Sequence, residues 1–272
     1  SAGSQASGLL AYQDEPLHYN KSLQTGIAAR NGVTAALLAQ MGFLAPRRVL
    51  DGRVNVLEAF SPGEHRFDVL TEALGSRFEV MRTGMKRFSS CRLTHAPLEA
   101  FLKILDEQGL RRGDIARVTV RLSLTGARGV DGHPLITHNV QKVLATALFD
   151  RKSVTLLSPY SSDRKEDPEL LAFAERVRVI GEPELESLLA SHPAGPAVVE
   201  VETVGGARHA ARVDDPAGEP SRPLSKQEVE DKCLTLSAPV VGEARAREIV
   251  RRIDGLEEVM DIGALTALLR VP

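Results

Sequence analysis

The sequence predicts an α+β protein in which a mixed domain is inserted into a helical one, and changes in hydrophobic spacing carry this prediction. Apolar residues follow helical spacing in 1–77, alternate with polar residues in parts of 78–215, and return to helical spacing in 216–272. A change of period from 3.6 to 2 marks a change from helices to strands. Only 4% of the residues are aromatic and tryptophan is absent, which favours closely packed helices. We therefore expect 1–77 and 216–272 to form one helical bundle, with 78–215 as an α+β lid.

The N-terminal part is predicted to be helical throughout. A long helix is expected over 22–41, where small residues alternate with Ile27, Val33 and Leu37 and allow close approach of neighbouring helices, and Gly42 caps it. We expect this helix to be buried in the bundle. Shorter helices are expected at 4–12, 48–60 and 66–74.

The middle of the chain alternates strands and helices. An amphipathic helix is predicted over 97–109, because Leu98, Phe101, Leu102 and Leu105 repeat at i, i+3, i+4 and i+7. A half-buried strand is predicted over 116–124, with every second residue apolar from Val118 to Leu124. Other strands are expected at 78–85, 176–180, 197–204 and 207–213, and other helices at 139–149, from 168 and at 183–190.

The C-terminal part returns to helices after a boundary loop. Residues 214–223 contain three prolines and a glycine, which is typical of a loop. Ser225 and Glu228 form a capping box that starts a helix over 226–238. Two further helices are expected near 243–253 and 261–270.

Bulk composition excludes several classes of function. The 34 basic and 36 acidic residues give a formal net charge of −2, so charge predicts neither a nucleic-acid nor a membrane partner. No apolar run approaches the roughly 20 residues that span a bilayer, and we expect a cytoplasmic protein. The two cysteines, Cys91 and Cys233, predict neither a disulfide framework nor a zinc site.

Chemically active side chains gather just before the amphipathic helix. Lys86, Arg87, Cys91, Arg92 and His95 lie within ten residues. We expect His95 just ahead of a helix N-terminus, whose partial positive charge favours the neutral imidazole that can accept a proton. Lys86 and Arg92 suit an anionic ligand. From the residues alone, a solvated helix cap remains the alternative.

The segment from Lys86 to His95 (KRFSSCRLTH) resembles the K-R-(Y/F)-P-x-C-x-x-T-H signature of the MmgE/PrpD family. Other family-like blocks follow the family's order at 3–12, 21–42, 49–60, 177–186 and 216–232. The resemblance spans the chain but begins about halfway through a normal family member, so we expect a trimmed, split or incomplete chain. It implies a lyase or isomerase that acts on a small di- or tricarboxylate by acid/base chemistry, with no metal and no other cofactor.

The resemblance also implies site residues. Lys21 matches the family's active-site lysine in K-x-L-H-x-G, and Gln24 stands where that motif usually has histidine. Lys86 and His95 match the lysine and histidine of the later signature. The expected catalytic residues are His95, Lys21 and Lys142, and the expected substrate-binding residues are Lys86, Arg92, His138 and Gln24. We expect Lys21, Lys86 and His95 to converge on one cleft. The alternative is that Lys21 and Lys86 are ordinary exposed lysines without a role in the site.

Besides Gln24, two further positions depart from the family pattern. Lys142 falls where the family's decarboxylases have an active-site tyrosine, and a lysine does not reproduce the proton donation of a phenol. His138 and Lys142 are spaced i, i+4 and are expected to share a helix face. Ser89 stands where proline is usual. The resemblance therefore puts decarboxylation in doubt.

A second hypothesis is a chain that is not catalytic by itself. The family's other active-site residues lie upstream of Ser1, so the chain is alternatively a partner-dependent subunit or a carboxylate-binding or assembly module. The expected partners are a small polycarboxylate and either a second copy or a chain with the missing half. Uncovered apolar faces of the 22–41 helix would favour such association.

Overall fold

The computed structural model describes residues 20–60, 63, 65–151, 155 and 167–270, together with Gly8; the side chains of Lys21 and Ser22 lie outside this description. The chain divides into two compact units, Ser1–Val80 and Met81–Pro272. The second unit contains both the expected lid and the C-terminal helices. A separate domain from 216 and a bundle that joins it to 1–77 stay predictions. No described helix is long and apolar enough to cross a membrane.

The first unit is helical where it is described. Helix α1 (Asn20–Gln40) confirms the long predicted helix, and Gly42 follows it with a φ of 81° that suits glycine. Helix α2 (Val56–Phe60) is shorter than predicted, because the Asn55 side chain accepts the Glu58 N–H and starts the helix there. The helix predicted at 66–74 is a single 3₁₀ turn, and the one at 4–12 lies outside the described residues.

Helix α1 leaves its apolar side chains exposed. Leu23, Val33 and Leu37 are 57%, 63% and 54% exposed, and Ala35 is the buried apolar residue among its described side chains. The expectation that this helix is buried is therefore not met within the described chain. A bundle around it stays a prediction.

The second unit is built on a four-stranded mixed sheet, which confirms the α+β class. Its strands are β1 (Ile115–Ser123), β2 (Val177–Glu182), β3 (Ala197–Thr203) and β4 (Arg208–Val213), in the order β2-β1-β3-β4. The β1–β2 pair is parallel and the other pairs are antiparallel. The predicted β3–β4 hairpin turns at Gly206, whose φ is 81°. Val120 pairs with Val179 on one side and Val199 on the other.

Eight helices of the second unit are described, and several confirm the predicted caps. Asp167 accepts the Glu169 and Leu170 N–H groups at one helix start, and Ser225 with Glu228 forms the capping box of another. The helices are α3 (His95–Gln108), α4 (Leu124–Val130), α5 (Val140–Phe149), α6 (Pro168–Ala174), α7 (Pro183–Ser187), α8 (Lys226–Val241), α9 (Glu243–Asp254) and α10 (Ile262–Thr266).

Two predictions in this part of the chain are wrong. The strand expected at 78–85 is a 3₁₀ turn at Glu79–Arg82; Val80 and Met81 are mostly exposed, so the alternation there reflects no buried face. Helix α4 was not predicted. The Ser123 side chain accepts the Gly126 N–H and so starts this helix. Strand β1 therefore ends one residue earlier than predicted, and the partly exposed Leu124 is the first residue of α4.

Helix α3 is fixed by the core. Its residues Leu98, Phe101, Ile104 and Leu105 are buried in the cluster that also contains the inner residues of the sheet. The ring of Phe101 lies 6.3 Å from that of Phe173 on α6. Burying such a side chain contributes about 2–3 kcal/mol. Gly109 ends the helix in the left-handed conformation, so the C-terminal end of α3 has a defined position.

Candidate active site

His95 is a fully buried polar residue at the first position of α3. Its relative exposure is 0%, and neither ring nitrogen makes a well-formed hydrogen bond with any residue that the structure describes. The ring packs edge-on against Phe88, with centroids 5.5 Å apart. It therefore lies one residue inside the helix rather than ahead of it, and it is not a solvated cap. An unsatisfied buried polar group costs about 1–3 kcal/mol, which points to a functional role.

Short local hydrogen bonds hold the segment that carries His95. The buried Thr94 hydroxyl lies 2.7 Å from Ser90 Oγ and 2.8 Å from the Cys91 carbonyl oxygen. The Cys91 N–H donates to the Thr137 carbonyl at 2.7 Å, which joins the segment to the chain just before α5. These bonds thus fix the backbone that leads into His95 at the start of α3.

Three cations act electrostatically on this imidazole. Lys86 Nζ donates to the Ser90 carbonyl at 3.0 Å. Arg92 Nη1 lies 2.9 Å from Glu219 Oε1, an ion pair whose alignment falls short of a hydrogen bond. Lys232 Nζ, from α8, donates to the Lys86 carbonyl. We call Lys86, Arg92 and Lys232 the cationic cluster.

Burial and the cationic cluster keep His95 neutral. Burial is the largest cause that lowers the pKa of His95, and the positive charges of Arg92 and Lys86, with a smaller effect of Lys232, act in the same direction, so that the pKa is about 3. The Ser90 backbone acts in the opposite direction. At neutral pH the ring can therefore accept a proton or donate its N–H. An anion bound beside it would offset the cations and raise the pKa of the ring.

A loop from 216 to 222 holds Arg92 of the cationic cluster in place. The Met85 N–H donates to the Gly218 carbonyl at 2.7 Å, and Gly218 has a φ of 98°, where a Cβ would overlap the Met85 carbonyl oxygen. The Ala217 N–H donates to Glu99 Oε2 at 2.7 Å. Glu219 is buried and holds Arg92. The loop therefore ties the start of α8 to the segment before α3.

A cleft of about 500 Å³ opens beside the cluster, within the second unit. Phe88 and Lys232 line it on the side of His95, and Leu102 of α3 adds an apolar wall. Arg151 and Asp106, paired at 2.5 and 3.0 Å, line it as well. This volume falls in the range of small-molecule sites, about 300–1,000 Å³.

The predicted residues of the first unit are only partly described. Lys21 lies in the first turn of α1, and its side chain is outside the described residues. Gln24 is half-buried on the same helix. The convergence of Lys21 with Lys86 and His95 on one cleft stays a prediction.

His138 and Lys142 do not share a helix face. Asn139 caps α5 by accepting the Lys142 N–H, so Lys142 is in the first turn and His138 lies in the turn before it. The ring of His138 is 5.0 Å from that of His133, and its Nδ1 is 3.1 Å from Thr137 Oγ1. Because the Thr137 carbonyl binds the Cys91 N–H, His138 follows a residue in direct contact with the segment of His95.

Sequence reasoning missed Lys232. The only signal was that this lysine closes the family-like block at 216–232. Its contact with Lys86 joins residues 146 positions apart, which no local pattern predicts. Across the described part of the chain, no group of three or more histidine, cysteine or carboxylate side chains could hold a metal ion.

A mixed sheet, packed on a helix that begins at a buried histidine under the influence of three cations, defines an α+β protein with a candidate site for an anion. Two family models match the chain: the MmgE/PrpD N-terminal domain at residues 1–68 and the MmgE/PrpD C-terminal domain at residues 88–256. Together they cover most of its length, and the chain belongs to the MmgE/PrpD family. Arg92, His95, Lys142 and Lys232 fall in the C-terminal match, and Lys21 and Gln24 in the N-terminal one.

The relatives with curated names include two cis-aconitate decarboxylases. Cis-aconitate decarboxylase from Aspergillus terreus is 29% identical over 295 aligned residues, which cover all of this chain and 58% of that protein. The protein of the same name from strain NIH 2624 is 28% identical with the same coverage. The cis-aconitate decarboxylase-like protein oryM of Aspergillus oryzae is 25% identical, over 98% of this chain and 58% of its own length. The chain thus spans less than two thirds of these relatives.

Proposed function

We propose that this chain serves a lyase or isomerase of the MmgE/PrpD family that acts on a small di- or tricarboxylate. The observation that carries the proposal is His95, a fully buried imidazole whose ring nitrogens make no well-formed hydrogen bond with the described residues and whose pKa the cationic cluster lowers. The names of the relatives support a tricarboxylate-like substrate, because cis-aconitate carries three carboxylates. Lys86 and Arg92 bind a carboxylate, and His95 exchanges the proton.

The cations suit the chemistry of such a substrate. Removing a proton next to a carboxylate leaves the electron pair of the broken C–H bond on carbon, beside charge that is already negative. Fixed positive charges stabilise that transition state because they need no reorganisation. A positioned proton acceptor contributes on the order of 100- to 10,000-fold. Dehydration then expels hydroxide from the neighbouring carbon, whereas epimerisation returns the proton on the other face.

The remaining predicted residues complete the proposal. Lys21 is the second catalytic candidate and Gln24 a binding candidate, both on α1. Lys142 and His138 flank the N-cap of α5, whose preceding turn contacts the segment of His95 through Thr137. Their roles rest on the family resemblance.

Lys142 distinguishes decarboxylation from the other reactions. Because a lysine stands where the family's decarboxylases have a tyrosine, we expect wild-type protein to decarboxylate cis-aconitate poorly, even when it is supplied with a chain that corresponds to the part of its relatives that it does not span. Lys142→Tyr should raise any such activity, measured as release of CO2. Efficient decarboxylation by the wild type would contradict this expectation.

A partner-dependent chain is the second candidate, since α1 exposes apolar side chains. Such a chain would bind carboxylates without turnover, or turn them over only with a second protein.

Calorimetric titration of citrate, methylcitrate, aconitate, itaconate and tartrate tests the site directly. We expect wild type to bind at least one of these acids, and His95→Ala and Lys86→Met to weaken that binding. Lys103→Met is the matched control, because Lys103 is exposed on α3 and pairs with Glu107. No binding of any acid by the wild type would contradict the proposed function.

A further inference from the structure

Helix α8 places a lysine beside the site. Lys232 is half-buried, donates to the Lys86 carbonyl and lines the cleft together with Phe88. An ammonium group has three donors, and here the described acceptor is a neutral carbonyl. Lys232 is also among the cations that act on His95.

A comparison with Lys226 on the same helix shows that this position is unusual. Lys226 Nζ lies 2.9 Å from Asp254 and 3.6 Å from Glu230, and these carboxylates raise its pKa. In contrast, burial first, and then the charges of Lys86 and Arg92, lower the pKa of Lys232. Holding an ammonium group among like charges is unfavourable unless an anion joins them.

The position of Lys232 is fixed by the structure around it. The capping box of Ser225 and Glu228 starts α8, and Lys232 follows one turn after Glu228. The preceding loop is tied to the segment before α3 by the Gly218–Met85 hydrogen bond and the Glu219–Arg92 ion pair. The loop that pairs with Arg92 therefore also leads into the helix of Lys232, and the charges of both residues act on His95.

We propose that Lys232 is a third binding group for the anionic substrate, supplied by the C-terminal helix next to Lys86 and Arg92. The inference rests on the proposed function, and it adds a residue that neither the sequence pattern nor the matched names assign. A carboxylate that enters beside His95 would replace the Lys86 carbonyl as an acceptor for part of the ammonium group. It would also offset the repulsion within the cationic cluster.

Four variants of the full chain separate charge from structure. Lys232→Met removes both charge and donor, Lys232→Gln keeps a donor for the Lys86 carbonyl but no charge, Lys232→Arg keeps the charge, and Lys103→Met is the charge-matched control. We measure citrate binding by calorimetry at several salt concentrations, with inorganic sulfate as a competing anion. Thermal unfolding of each variant confirms that it is folded.

We expect Lys232→Met and Lys232→Gln to weaken citrate binding about tenfold or more, the scale of a lost charge-assisted hydrogen bond. Both should also show a smaller dependence on salt, whereas Lys232→Arg stays within about threefold of wild type. Lys103→Met should match wild type. If Lys232→Gln binds as well as Lys103→Met, the role of the lysine is structural and the inference is overturned.

The results also separate this inference from the proposed function. Weaker binding in His95→Ala and Lys86→Met, with Lys232→Gln unchanged, would overturn the inference and leave the function standing. If Lys232→Gln binds citrate more weakly but the wild type turns over no carboxylate, either alone or with a second protein, the inference is supported and the lyase activity is contradicted. A wild type that binds sulfate no better than Lys232→Met and binds none of the five acids would overturn both.

Discussion

Helices α1 and α3 have similar apolar content in sequence but opposite surroundings in the structure. On α3, Leu98 and Phe101 are fully buried, whereas on α1 Val33 and Leu37 are more than half exposed. Hydrophobic spacing shows which face of a helix prefers burial, but it does not show whether the same chain covers that face. Helix α3 has a sheet to pack on, and the described chain gives α1 no comparable cover.

The largest expected effect tests this comparison through stability. Phe101→Ala should lower the free energy of unfolding of the second unit by about 3–5 kcal/mol, because it leaves a cavity in the core. Leu37→Ala on α1 should change it by less than about 0.5 kcal/mol, as for other exposed positions. Urea unfolding followed by circular dichroism measures both. Equal effects of the two substitutions would mean that α1 is covered after all.

The second prediction concerns the pH dependence that His95 gives to the second unit. The pKa of His95 is about 3 in the folded chain and near 6.5 when unfolded, so between these values the unfolded chain binds the additional proton. Stability should therefore rise with pH across this window, and the contribution, on the order of a few kcal/mol, should be lost as pH falls from 6.5 towards 3.

His95→Gln supplies the control for that measurement. Glutamine does not titrate, so the difference in unfolding free energy between variant and wild type should change with pH in this window alone. A difference that is the same at pH 7 and pH 4.5 would show that the ring is not held neutral.

Local chemistry explains what the sequence predicted correctly. The Ser225–Glu228 capping box, the Asp167 cap and the β3–β4 turn each depend on residues within a few positions of one another. The strand predicted at 78–85 failed because alternation alone does not create a neighbouring strand. The burial of His95 and the approach of Lys232 to Lys86 depend on how α3, α8 and the 216–222 loop come together, and this is a property of the tertiary fold.

The third prediction asks whether the first unit takes part in the site. Lys86→Met should weaken carboxylate binding by about 1–3 kcal/mol, the scale of one hydrogen bond to a charged group. If the family resemblance of Lys21 holds, Lys21→Ala should have an effect of the same size. Calorimetry with the acid that binds wild type best provides the measurement. An unchanged affinity in Lys21→Ala would confine binding to the second unit.

Substitutions on the exposed face of α1 should have the smallest effect on stability. They should instead change the association of the chain with itself. Exposed apolar patches above a few hundred Å² usually mark an interaction surface, and Leu23, Val33 and Leu37 are all more than half exposed on this one helix. We expect the 29.4 kDa chain to self-associate, and sedimentation velocity should show species heavier than a monomer. Val33→Glu should shift them towards monomer while the unfolding midpoint of the second unit stays the same, because a charge at an exposed position disturbs only a contact between chains. Thr34→Glu, at the neighbouring exposed position, is the control. A wild type that sediments as a monomer at all concentrations would contradict the prediction, because the exposed face of α1 would then not bind a second copy of the chain.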